Sequence, residues 1–327
     1  MLDYLPPGIN KIIVAPLNWG LGHASRSIVI IKQLIAQGKE VILASDGEAL
    51  QFLQEEFPEL KAIELPSYNV RYTTDSLIGL ILNNGYQFIS AVVKEHRRAK
   101  VLVSQLKPDA IISDSRFGFR SSKVHSIIIS HQLNLLAKTR LLKLCMNLVN
   151  EFFLNRFNQV WVPDSEERKL SGKLSQNKAI RNVKFIGPLS SALISDEAIQ
   201  YDIALILSGP EPARTNLENK FIAKLSGSGK RVAFVRGTDL KKKIKAEQNW
   251  DIYNRISRKS VSKIIGCSKQ IISRAGYSSI MDYYQLGKHA LLIPTPGQPE
   301  QEYLAEFHSG KAGFRMCIES DISEFEV

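Results

Sequence analysis

The sequence predicts an α/β protein of two doubly wound, Rossmann-like lobes facing a cleft. Two observations carry this. Short apolar runs alternate with helical patterns along the chain, and the alternation restarts near Tyr201 after a break around Gly187-Pro188. A third observation is size: 327 residues at 44% hydrophobic and 23% charged is enough for two domains, each with its own core. The expected division is an N-terminal lobe over 1–188 and a C-terminal lobe over 189–327.

The first lobe opens on Lys11-Ile12-Ile13-Val14-Ala15-Pro16, which reads as a buried parallel strand. A glycine-bearing loop, Asn18 to His23, leads into a helix from Ala24 to Gln37 that Gly38 stops. Val41 to Ala44 is the next strand, completing a right-handed β-loop-α-β unit. Glu48 to Phe57 reads as a helix, and Ala62 to Leu65, Asp109 to Ser113, Ser126 to Ser130 and Val160 to Pro163 read as strands. A long helical stretch runs between Ser76 and Leu106, apolar at its start and basic later. In the second lobe the expected strands are Ile203 to Leu207, Val232 to Val235, Gln270 to Ile272, Ala290 to Ile293 and a short one around Phe314 to Ile318. The expected helices are Thr215 to Leu225, Ser278 to Leu286 and Pro299 to Phe307.

Parallel sheets bind ligands at the carboxyl ends of their strands, and three loops stand there. In Asn18-Trp19-Gly20-Leu21-Gly22-His23, Gly20 and Gly22 let the backbone approach a ligand. His23, at the helix start, suits a phosphate contact or a general base, and equally the capping of its own helix. The loop Ser208-Gly209-Pro210 opens the second lobe, and Arg214 is placed to add charge toward a diphosphate or to face solvent. The third segment, Ser273-Arg274-Ala275-Gly276-Tyr277-Ser278-Ser279, passes from strand to helix, with a tight turn at Gly276 and two serines for cap or phosphate. Asp282 follows about a turn later, able to accept from both ribose hydroxyls or to answer the helix dipole. Beyond the proline-rich loop Pro294 to Pro299, Glu300 and Gln301 open another helix.

These residues resemble glycosyltransferases of the GT-B architecture, closest to the family that adds N-acetylglucosamine to the lipid-linked peptidoglycan precursor. The best-matched part is Ser273 to Ala305. There Gly276 takes the place of the family's glycine, Asp282 of its ribose-binding acid and Glu300-Gln301 of its donor-sugar Gln-Gln pair. Asp for Glu and Glu for Gln are departures, the second bearing on the donor sugar. Gly20 to His23 resembles the glycine-rich loop facing the acceptor diphosphate, and His131-Gln132-Leu133-Asn134 resembles the family's H-E-Q-N segment. Ser208-Gly209 stands where the family carries a longer glycine loop, and Gly187-Pro188-Leu189-Ser190 lacks the family's arginine.

The resemblance implies metal-independent transfer from a nucleoside diphosphate sugar, UDP-linked, to an envelope glycan or lipid-linked acceptor, with no cofactor. His23 is then the candidate base; His131 and Asn134 lie on the acceptor side with Gly20 and Gly22. Ser208, Gly209, Arg214, Ser273, Arg274, Gly276, Ser278, Ser279, Asp282, Glu300 and Gln301 form the donor side. Two alternatives stay open. Gly20-Leu21-Gly22-His23-Ala24-Ser25-Arg26 also fits the G-x-G-H-x-x-R loop of a nucleotide-sugar hydrolase family, with His23 activating water. A non-catalytic sugar-nucleotide-binding protein is the other.

The charge of +11 and pI near 9.4 favour anionic partners, but no nucleic-acid recognition module is present. Three scattered cysteines, Cys145, Cys267 and Cys317, argue against a disulfide framework or a zinc site and fit reduced cytoplasmic thiols. No secretory leader or spanning helix is read. The apolar stretch Leu77 to Leu82, near Arg97 and Arg98, suits peripheral contact with the inner face of an anionic membrane, or burial between the lobes. The end at Val327, just after Asp321-Ile322, leaves a short or truncated crossover helix.

Overall fold

A computed structural model describes residues 2–68, 77–192, 198–238, 244, 247–311 and 313–325, with 2 and 77–86 described by backbone alone. The side chains expected to form a bilayer patch at 77–82 therefore lie outside the described residues. The chain divides into two compact units, Met1–Ser191 and Ala192–Val327.

The first unit holds a parallel seven-stranded sheet: β1 (Lys11–Pro16), β2 (Glu40–Ser45), β3 (Lys61–Glu64), β4 (Ala110–Asp114), β5 (His125–Ile129), β6 (Gln159–Val162) and β7 (Val183–Phe185). Its order is β3-β2-β1-β4-β5-β6-β7, so the winding reverses between β1 and β4. The helices α1 (Leu21–Ala36), α2 (Gly47–Glu56), α3 (Leu77–Leu106) and α4 (Arg140–Leu154) connect the strands. The strands form continuous apolar runs because both faces are covered. Ile12 and Val14 pack with Ile28, Ile31 and Leu34 of α1 on one face. Ile13 and Ala15 pack with Ala99, Leu102 and Val103 of α3 on the other.

The second unit repeats the design: β8 (Tyr201–Ile206), α5 (Ala213–Leu225), β9 (Val232–Val235), β10 (Trp250–Tyr253), α6 (Arg258–Gly266), β11 (Ser268–Arg274), α7 (Tyr277–Gln285), β12 (Ala290–Ile293), α8 (Pro299–His308) and β13 (Arg315–Met316). The order β10-β9-β8-β11-β12-β13 is again all parallel, with the reversal between β8 and β11. The elements α4, α6, β7 and β10 go beyond what the sequence pattern predicts. The expected strand over 314–318 contracts to the two residues of β13, paired with Leu291 and Leu292.

Candidate functional site

The reversal between β1 and β4 is where an open α/β sheet splays its loops apart. Register aligns Pro16, the last residue of β1, with Asp114, the last of β4. The loop after β1 turns at Gly20, whose φ of +73° suits a residue without a Cβ, and α1 begins at once. Gly22 and His23 fall in the first turn of α1, and Arg26 lies one turn on.

These residues converge. His23 Nδ1 lies 2.8 Å from Asp114 Oδ1. The Arg26 guanidinium grips the same carboxylate through Nε and Nη2, and its Nη1 lies 3.5 Å from His131 Nδ1. Arg26 and Asp114 are buried, whereas the His23 side chain keeps 18% of its surface. An ionised carboxylate only accepts, so His23 Nδ1 carries the proton and donates it to Asp114. Its lone pair then sits on Nε2. The Nη2 of Arg26, 3.0 Å from Nδ1, is accounted for by their shared hold on Asp114.

Burial alone would raise the Asp114 carboxyl. The charge of Arg26 and the hydrogen bonds that Arg26 and His23 donate outweigh it and hold the group ionised, well below the usual range. Burial pulls His23 below its ordinary 6.5, with Asp114 opposing and Arg26 reinforcing the shift. A neutral imidazole, oriented by a carboxylate and with its second nitrogen facing away from that partner, is the arrangement of a general base. Of this cluster, sequence reasoning finds His23, His131 and, within the G-x-G-H-x-x-R spacing, Arg26; Asp114 completes it. The available signal is Asp114 standing one residue past an expected strand end, beside the glycine loop.

A second cluster holds the loop in place. Arg116, fully buried, donates to Glu95 Oε1 (2.5 Å), Asp46 Oδ1 (2.6 Å), Pro66 O (2.9 Å) and Pro16 O (3.3 Å). One guanidinium thus links the ends of β1 and β2 to the loop after β3 and to α3. Asp46 also accepts from Asn18 Nδ2, and Asn18 Oδ1 accepts from the amide of Ala49. Asn134 is turned away from this cluster: its Nδ2 donates to Lys173 O at 3.1 Å.

In the second unit the expected residues also gather at strand ends, on either side of the β8/β11 reversal. Ser208 and Gly209 are exposed in the loop after β8, and Gly209 has φ +104°. Gly276 is the N-cap of α7, with Ser278 and Ser279 in its first turn; Glu300 lies in the first turn of α8. The N-cap residues of α1, α7 and α8 make no side-chain cap bond, whereas Thr139 and Ser257 cap α4 and α6, and in α5 the first-turn amide of Thr215 donates to Glu211 Oε2 at 3.2 Å. Helix N-termini left uncapped favour anions.

The charged candidates are placed differently from expectation. Arg214 does not face solvent. It is buried, with Nε donating to Glu211 Oε1 (2.6 Å) and Nη1 to Glu218 Oε2 (2.7 Å), and Arg236 grips Glu218 from the end of β9. Arg274 is likewise buried and ties two loops of this unit to the start of α5, donating to Glu319, Pro294 O and Ala213 O. Buried guanidinium groups need such partners, and these neighbours supply them. Ser273 Oγ donates to the carbonyl of Arg274. Asp282 accepts from one nitrogen of Arg258, Nη2, at 2.7 and 2.8 Å. Gln301 Oε1 accepts from the amide and hydroxyl of Thr295, bracing the proline-rich loop.

With this geometry in view, residues 222–325 match the sequence model of the glycosyltransferase family 28 C-terminal domain. An uncharacterized glycosyltransferase of Methanosarcina acetivorans is 28% identical over 165 residues, 47% of this chain and 42% of that relative's length. The chain therefore aligns with less than half of that relative. The glycotransferase of kitacinnamycin superimposes with a TM-score of 0.69 at 14% identity, over 97% of this chain and 88% of that one. Arabidopsis thaliana UGT89C1 complexed with UDP-L-rhamnose gives 0.65 at 13%, over 97% and 89%. Acinetobacter baumannii MurG gives 0.57 at 13%, over 96% and 89%. The chain has the GT-B fold, and residues 222–325 of its second unit are similar to the glycosyltransferase family 28 C-terminal domain.

Proposed function

We propose that the protein is a glycosyltransferase that moves a sugar from a nucleoside diphosphate donor, UDP-linked, to a hydroxyl of an envelope glycan or lipid-linked acceptor. The observation that carries this reading is the His23–Asp114 pair at the β1/β4 reversal. His23 Nε2 accepts the proton of the acceptor hydroxyl as its oxygen bonds to the anomeric carbon. The bond from that carbon to the diphosphate oxygen breaks, and the diphosphate leaves with the electron pair. Asp114 stabilises the imidazolium that forms.

The donor is assigned to the second unit, on the family 28 match and the resemblance of Gly276 to Gln301. The uncapped first turns of α7 and α8 supply positive potential for the diphosphate, without a metal. Asp282 is the candidate ribose acceptor, in which case the sugar hydroxyls share it with Arg258 or displace that arginine. UGT89C1 and MurG, similar in fold, are the kind of protein this reading takes as its guide.

Calorimetry with UDP and UDP-sugars tests the donor assignment: binding by wild type that Asp282→Ala weakens supports it, and no binding to any of them removes it. Product analysis separates transfer from hydrolysis. Free sugar released rapidly without acceptor, and lost in His23→Ala, would instead favour the hydrolase that shares the G-x-G-H-x-x-R loop.

A further inference from the structure

Of the three tryptophans in this chain, two are core residues and one is not. Trp161 is fully buried, with Nε1 donating to Gln159, and Trp250 is 6% exposed inside the second unit. Trp19 is half-buried and stands in the loop between β1 and α1, four residues before His23. Among the described residues its Nε1–H makes no hydrogen bond. A lone half-exposed ring is ordinary on a protein surface. What sets Trp19 apart is how firmly it is held.

The backbone on either side is fixed. Asn18 donates to Asp46 through Nδ2 at 3.3 Å and accepts from the amide of Ala49 at 3.2 Å. A Cβ on Gly47 would come within 2.5 Å of Asn18 Nδ2, so the chain after β2 closes directly on this side chain. The ring is held as well. Tyr68 meets it edge-on, with centroids 6.4 Å apart and planes at 81°. Leu17, Phe88, Ala91 and Val92 complete the apolar bed with Tyr68. Tyr68 donates to Glu95 at 2.6 Å, and Glu95 and Asp46 are the two acids gripped by Arg116. Arg116 therefore fixes the backbone beside Trp19 through Asp46 and the ring that packs on it through Tyr68. That is the support of a preorganised binding group rather than of an ordinary surface side chain.

Trp19 packs toward Tyr68 and α3, and His23 toward the end of β4. Between them lie Gly20, Leu21 and Gly22, two of which carry no side chain. A ligand crossing that stretch of backbone meets an indole at one end and an imidazole at the other. An indole with an unused N–H on its rim suits a ring that has an apolar C–H face and a hydroxyl edge, which is the surface of a pyranose. We propose that Trp19 is the platform on which the acceptor's sugar ring lies while its hydroxyl reaches His23 Nε2, so that Trp19 selects a glycan as acceptor. This rests on the transfer reaction proposed above and adds to it the residue that recognises the acceptor.

Because Trp161 and Trp250 are buried, the acrylamide quenching of indole emission reports Trp19. The probes are methyl β-glucoside, methyl β-N-acetylglucosaminide, cellobiose and chitobiose, with benzyl alcohol as a flat aromatic control. At least one saccharide is expected to shift the emission saturably and to protect Trp19 from acrylamide, and benzyl alcohol to do neither. In calorimetry that saccharide is expected to bind Trp19→Phe within about three-fold of wild type and Trp19→Ala about ten-fold more weakly. Thermal melt and UDP affinity should be unchanged in both variants, and the wild-type titration decides even where Trp19→Ala melts early. No saturable response to any of the saccharides, a stronger response to benzyl alcohol, or a folded Trp19→Ala that binds as well as wild type would each overturn the proposal. UDP binding on the same samples separates the two readings: UDP bound by a protein that ignores every saccharide removes the role of Trp19 alone, whereas wild type that binds no UDP removes the transferase reading beneath it.

Discussion

The two reversal points of the molecule have the same topology and use charge in opposite ways. At β1/β4, buried charge creates a reactive group: Asp114 and Arg26 lie behind His23 and leave its Nε2 unengaged by them. At β8/β11, buried charge is consumed by the scaffold, with Arg214, Arg236 and Glu218 closing on one another and Arg274 closing on Glu319. The first site is thus defined by side chains. The second is defined by backbone, through helix N-termini and loops that arginines hold in place. Side-chain sites should fail through chemistry and backbone sites through stability.

The sharpest way to break this contrast is Asp114→Asn. It removes the group that orients His23 and leaves Arg26 buried without its anion. The expected result is a loss in kcat/KM of about 10³-fold or more, together with about 3–5 kcal/mol of stability, read by denaturant unfolding. A variant as stable as wild type would show that Asp114 is not the counter-ion of Arg26. His23→Ala should lose about 10²–10⁴-fold in turnover while keeping donor binding and most of its stability. Retained turnover would take the base role from His23.

In the second unit, Glu218→Gln tests the converse. It strands the buried Arg236 and leaves Arg214 only the half-exposed Glu211, and about 3 kcal/mol or more of stability should go, with little effect on turnover per folded molecule. A large drop in turnover at unchanged stability would put Arg214 back at the ligand.

The smallest effect is in pH. Burial lowers the pKa of His23, His96 and His125 from 6.5. Between those lowered values and 6.5 the unfolded chain binds more protons than the folded one, so stability falls as pH falls below about 6.5. The same sign applies to activity, since protonated His23 cannot accept a proton. The acidic limb of kcat/KM should lie below pH 6.5 and shift or vanish in His23→Gln; a limb above 6.5 would contradict the burial of the imidazole.

Strands are legible in this sequence because buried parallel strands are uninterrupted apolar runs, and the pattern over Lys11 to Pro16 matches β1 from end to end. Helix α4 escapes the pattern for a physical reason: its apolar stripe faces outward and its asparagines inward, so amphipathicity gives no cue to burial. The edge strands β7 and β10 are three and four residues long and only partly buried, below what a pattern can resolve. At the site, glycine loops and serines announce themselves locally. Asp114 does not, because its partners lie 88 and 91 residues away, and only the register of β1 on β4 brings them together. The arginines mislead for the same reason, since a sequence shows their charge but not the carboxylates that fold against it.

The knot around Arg116 has a bearing on how this protein can vary. Asp46, Glu95 and Arg116 come from three separate elements, and Tyr68 donates to Glu95 from a fourth. Removing Arg116 leaves two buried carboxylates without their cation, and removing either acid leaves the guanidinium one anion short, in a place water does not reach. Descendants of this sequence should therefore keep positions 46, 95 and 116 together or exchange them together, and a library randomised at one of them alone should return almost only the original residue.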